Sequence, residues 1–153
     1  MDKTSFKAFL EASVKNQGFK KNKKVFTKQL IETEAELELQ THSFGKSQYL
    51  INLTISFKPE IAILHQLSDV FAAWCRVESL SEEEKIQNLR ALDYESDLSF
   101  EMRNEQLTKI FEVDLPRFLD IWKTYNDAEI AYKKSIKKHA PINSDLVNRW
   151  KLS

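Results

Sequence analysis

The sequence is poor in the residues that make tight turns and covalent staples: two Gly, three Pro and one Cys in 153 residues. A sandwich or propeller of many short strands needs turn formers roughly every 8–12 residues, and these few cannot supply them. Long elements, mostly helices, are what such a composition allows. Gly18 and Gly45 stand far apart and belong to no P-loop or dinucleotide fingerprint, so a Gly-rich phosphate cradle is excluded. The lone thiol, Cys75, has no partner for an intramolecular disulfide or a zinc site. One Cys fits a reducing compartment. No run approaches the roughly 18 apolar residues of a membrane span. The stretch MDKTSFKAFL at the start has neither the apolar core nor the cleavage site of a secretory signal. The expectation is a cytoplasmic protein without a membrane segment.

What is present is globular in character. Hydrophobic residues make up 42% and charged residues 30%, with ten Phe, three Trp and four Tyr, which suits one domain over residues 1–153. The net charge is zero but unevenly spread. Residues 1–31 carry eight Lys against Asp2 and Glu11, a balance of +6, and residues 32–120 carry a balance of −10. Residues 121–153 return to +4. An acidic middle lies between two basic ends.

Hydrophobic spacing orders the elements. Phe6, Phe9, Leu10 and Val14 recur at helical intervals, with Thr4 as the expected N-cap and Gly18 as the expected stop. Three strands follow at 25–31, 35–41 and 48–57. In the last, Tyr49, Ile51, Leu53, Ile55 and Phe57 alternate with Leu50, Asn52, Thr54 and Ser56, the strand period of two. Short polar links predict antiparallel hairpins. Pro59 opens a helix expected over 60–70, and a fourth strand is possible over 73–78. Ser81 and Glu84 have capping-box spacing for a helix to about 92 that buries Ile86 and Leu89. Leu107, Ile110 and Phe111 mark a short helix. Asp114 and Pro116 start a long one from about Leu115 to Lys138, and residues 143–153 form a terminal helix that lays Trp150 on the body. The fold class expected is α+β: an antiparallel three- to four-stranded meander, an N-terminal helix and a helical C-terminal third.

No catalytic set emerges. His42, His65 and His139 lie in no nucleophile motif and at no metal-binding spacing. Cys75 follows Trp74 in an apolar stretch and reads as a buried thiol. Glu36, Glu38, Gln40 and His42 share one strand face, though alternation puts such a row on any solvated sheet. Asp93, Glu95 and Asp97 resemble the start of a calcium loop, but Leu98 stands where Gly is needed and Asn104 where Glu is needed. Neither a metal nor a cofactor is expected. Lys20, Lys21, Lys23, Lys24 and Lys28 surround Phe19 and Phe26. They read either as a phosphate-binding patch with stacking rings or as a solvated fringe on core phenylalanines. Asn52 and Thr54 lie on an uncharged outward strand face that invites a partner, or a helix of the same chain.

The order Gly18-Phe19-Lys20-Lys21, then Phe26, then Leu39-Gln40 and Ser43, then Tyr49 and Ile51-Asn52-Leu53 after an N-terminal helix resembles an uncharacterised bacterial domain-of-unknown-function family over about residues 5–57. The resemblance implies a small cytoplasmic α+β domain with no assigned activity, and it sets Cys75-Arg76 against a Cys followed by Arg residues later in that family. Taken together, the expected function is a non-catalytic protein-binding module, with an immunity-type protein that neutralises a bacterial toxin as its specific form. The alternative is a nucleic-acid-associated protein that uses the Lys20–Lys28 cluster.

Overall fold

A computed structural model describes residues 2–45, 47–134 and 142–151. Helix α1, Lys3–Asn16, buries Phe6, Leu10 and Val14, one residue per turn on a single stripe. Its cap is Asp2 rather than Thr4: the Asp2 carboxylate accepts from the Ser5 N–H at 2.8 Å. An acid at that end also meets the positive pole of the helix. Gly18 ends the turn as expected, at φ +89°, a conformation that costs a residue with a Cβ.

Five strands then form one antiparallel sheet in sequence order: β1 Lys20–Asn22, β2 Val25–Gln29, β3 Thr33–Thr41, β4 Tyr49–Phe57 and β5 Phe71–Arg76. The fourth strand raised as a possibility is therefore present, and the count rises to five because of β1. That strand is three exposed polar residues joined to β2 by a two-residue turn with Lys23 at φ 61°. It has neither an apolar alternation nor a Gly in its turn, so it carries no strand signal of its own. β4 spans the core. At one end Tyr49 lies 5.9 Å from Phe6 of α1, and at the other Phe57 lies 6.3 Å from Trp122 and 5.7 Å from Tyr125, ring centre to ring centre.

The helical part differs from expectation in its joints. Helix α2 is short, Pro59–Leu64. Ser81 and Glu84 form no side-chain capping box; α3, Lys85–Ala91, starts one residue later, and the Glu84 carboxylate accepts from Gln106 at 2.7 Å instead. Ile86 is 72% exposed rather than buried. The expected long helix is broken. Helix α4, Phe100–Lys109, runs through a wider π turn at Ile110–Asp114 into α5, Leu115–Ile121, and α6, Tyr125–Lys134, follows after a break. Asp114 caps nothing. Pro116 explains the π turn: it has no N–H to give to the carbonyl four residues back, and its ring would collide with that carbonyl. The Leu115 N–H reaches back five residues, to Ile110. At the second break Thr124 and Asp127 exchange bonds, the Asp127 N–H to the Thr124 hydroxyl at 3.0 Å and that hydroxyl to the Asp127 carboxylate at 2.7 Å. Thr124 thereby starts a helix in mid-pattern. Residues 135–138 of the expected helix lie outside the described residues.

Helix α7, Ser144–Trp150, follows the terminal expectation and buries Trp150. Its Arg149 guanidinium donates to the His65 and Gln66 carbonyls just past α2. The helices cover one face of the sheet, where Phe26, Leu37, Ile51, Leu53 and Ile55 are buried. Burial of each such side chain contributes about 1.5–3 kcal/mol.

Candidate functional site: a trough on the open sheet face

The other face of the sheet is uncovered by any described helix. On it lies a shallow trough of about 310 Å³, lined by Val25, Glu36, Glu38, Gln40, Asn52, Thr54, Trp74 and Arg76. Strand register sets its order. Glu36 is opposite Thr54, which is opposite Trp74; Glu38 is opposite Asn52, which is opposite Arg76. Strands in a sheet lie about 4.8 Å apart. The trough therefore has an acidic wall on β3, a neutral floor on β4 and an aromatic and basic wall on β5. A β-bulge between Ile55 and Ser56 lies beside it and adds local twist.

The floor is held by an amide pair: Asn52 Nδ2 donates to Gln40 Oε1 at 2.6 Å. Asn52 Oδ1 is shielded from solvent and accepts from no described residue. On the far wall the Arg76 guanidinium carbon stands 6.0 Å from the Trp74 ring centre, close enough for cation–π attraction. Glu36 and Glu38 pair with no described cation, nor does Arg76 with any described carboxylate. Two strand spacings, about 10 Å, hold the two charged walls apart.

Five residues singled out from the sequence, Glu36, Glu38, Gln40, Asn52 and Thr54, meet in this trough. His42 does not. It lies just past the end of β3, where its Nδ1 accepts from the Phe44 N–H at 3.1 Å. Trp74 and Arg76 were missed, although the alternation Ala73, Trp74, Cys75, Arg76 carries them. Leu50 departs from its outward neighbours and is buried.

The basic cluster is divided. Lys21 pairs with Glu11 at 3.0 Å, and Lys28 Nζ donates to the Gln17 carbonyl at 2.8 Å near the end of α1. Lys20, Lys23 and Lys24 stay exposed on the β1–β2 hairpin. Phe19 and Phe26 are 3% and 1% exposed, so neither ring is open to stack a base. Among the described residues no group of three His, Cys, Asp or Glu could hold a metal ion.

Two buried titratable groups lie at the end of β5. Burial pushes the Cys75 thiol far above its ordinary value. Glu78 is fully buried, and burial raises its carboxyl from 4.5 to about 7, against the pull of the Ile51 N–H, Arg76 and Lys85. Asn88 Nδ2 donates to the Glu78 carbonyl at 3.1 Å, and Gln106 donates to Asn88 Oδ1 at 2.6 Å. This network fixes the end of β5 against α3 and α4.

The fold and the trough define a class, an α+β domain with an open antiparallel sheet that is helix-backed on one side and concave, polar and charged on the other. No family model, curated protein or solved structure matches the chain. The resemblance over residues 5–57 rests on its own residues alone. No described helix is long and apolar enough to cross a membrane.

Proposed function

We propose that the chain is a non-catalytic binding module that recognises a protein partner through its open sheet face, in the manner of a cytoplasmic immunity-type protein that neutralises a toxin by covering its working surface. The observation that carries this reading is the trough: two carboxylates and a guanidinium that pair with no described residue converge with an indole on one concavity that no described helix covers. Recognition needs a complementary surface and no reacting group. The acidic wall suits a basic partner and repels a polyanion.

A photo-crosslinking residue at Thr54 tests the binding reading. It should capture one protein from the native host, where the same residue at Glu101 of α4 does not. The captured protein, once purified, should bind the wild-type chain and lose binding to Thr54→Trp, which fills the trough. Crosslinks from Glu101 alone would remove the reading. The immunity role is tested separately. The product of the neighbouring reading frame should arrest growth when expressed alone, and co-expression of this chain should restore growth. Failure to restore growth removes that role. The nucleic-acid alternative draws on the exposed Lys20, Lys23 and Lys24. Unchanged DNA and RNA mobility at low salt, where electrostatic binding is strongest, disposes of it.

A further inference from the structure

Resting on the binding reading above, we infer that the trough seats an extended segment of a protein partner that carries Lys or Arg side chains two residues apart, one facing each of Glu36 and Glu38. The spacing argument comes first. Glu36 and Glu38 are alternate residues of one strand on one face, and alternate side chains of any extended chain repeat at about 6.8 Å. An extended segment lying along the trough therefore presents its own alternate side chains in step with the two carboxylates. A helix turns residues two apart to different sides, so a segment that meets both carboxylates with residues two apart has to be extended.

Charge sets the direction. Arg76 is the one basic residue in the lining, and Asn52 stands between it and Glu38. Arg76 pairs with neither carboxylate of the acidic wall, so an incoming cation does not have to displace it. Arg76 over Trp74 also keeps cations off the far wall and leaves donors for a carbonyl or carboxylate of the same segment.

The test is a titration of the isotope-labelled full chain, followed by amide and indole resonances at low ionic strength. The probes are short synthetic peptides on a Ser/Thr background. One carries two Lys at alternate positions, one carries two Lys side by side, and one carries Gln in place of the alternate Lys. The alternate-Lys peptide should move the resonances of Glu36, Glu38, Asn52, Thr54 and the Trp74 indole. The adjacent-Lys peptide should bind several-fold more weakly and the Gln peptide not at all. A Glu36→Gln/Glu38→Gln double variant, whose fold is checked by its unchanged spectrum elsewhere, should weaken binding about tenfold or more, as should added salt. Equal binding of the Gln peptide would overturn the charge assignment. Equal binding of the two Lys peptides would overturn the spacing, and an unmoved trough would overturn both. A partner crosslinked through Thr54 whose affinity is unchanged by the double variant removes this inference and leaves the binding reading intact. Absence of any crosslink from Thr54 removes both.

Discussion

The Glu78 carboxylate accepts a hydrogen bond from the Ile51 backbone N–H at 2.9 Å. β5 leaves the sheet at Arg76 and turns into a short 3₁₀ segment, Val77–Ser79. A side chain thus takes over from the departed strand as acceptor for β4. Along the same edge the Tyr49 N–H is satisfied by the Leu92 carbonyl at 3.0 Å. A buried N–H left without an acceptor would cost about 1–3 kcal/mol, which is why a carboxyl is kept in so apolar a place.

That placement makes stability depend on pH. The folded-state value of Glu78, about 7, lies above the ordinary 4.5, so the folded state holds this proton more tightly than the unfolded state. The stabilisation is fully present below 4.5, is lost as pH rises through about 7, and amounts to roughly 3 kcal/mol over that window. Glu78→Gln keeps an oxygen for Ile51 and cannot ionise. In urea unfolding at about pH 5 and about pH 8, the variant should lose less stability across the interval than the wild type. Parallel pH profiles for the two proteins would refute this account of Glu78.

Arg103 ties together the chain that follows α3. Its guanidinium donates to the carbonyls of Ala91 at 2.9 Å, Asp93 at 2.6 Å and Ser96 at 3.1 Å, and lies 5.7 Å from the Phe6 ring centre. Arg103→Ala should lower unfolding free energy by about 2–4 kcal/mol. Arg103→Lys should recover only part of that, because an ammonium lacks the planar fork. An unchanged denaturation midpoint in the alanine variant would show that water replaces these bonds.

Thr33 joins the sheet to the helices. Its buried hydroxyl donates to the Trp122 carbonyl at 2.7 Å, at the break between α5 and α6. Thr33→Val keeps the shape and removes the donor, so about 1–3 kcal/mol should be lost, with a change in Trp fluorescence as the break relaxes. A variant as stable as the wild type would mean that the carbonyl finds another donor.

Gly18→Ala forces a Cβ onto a residue at φ +89°, and that atom would stand 3.3 Å from Cε of Lys28. A loss of about 1 kcal/mol or more is expected in thermal or urea unfolding. No loss would indicate that the turn after α1 changes conformation freely.

Much of the sheet was legible because period-two alternation is a local property. β4 is readable from Tyr49 to Phe57 with no knowledge of its neighbours. The alternation that buries Leu53 also turns Glu36, Glu38, Asn52 and Thr54 to the other side, so most of the trough's lining was named before its shape was known. The C-terminal helices were legible as helical but not in their joints. The apolar spacing from Leu115 to Tyr132 is continuous on paper, and nothing in that pattern signals the break between Ile121 and Tyr125.

What the sequence by itself determined is most of the elements, β1 and the break between α5 and α6 excepted, and which side chains share a face, because both follow from backbone periodicity. Only the tertiary structure decided that no described helix covers the sheet's outer face. It alone set Trp74 and Arg76 across from Glu36 and Glu38, and split the lysine cluster between Glu11, the Gln17 carbonyl and solvent. Those outcomes depend on strand register and on contacts between residues far apart in the chain, such as Thr33 with Trp122, and no local pattern encodes either.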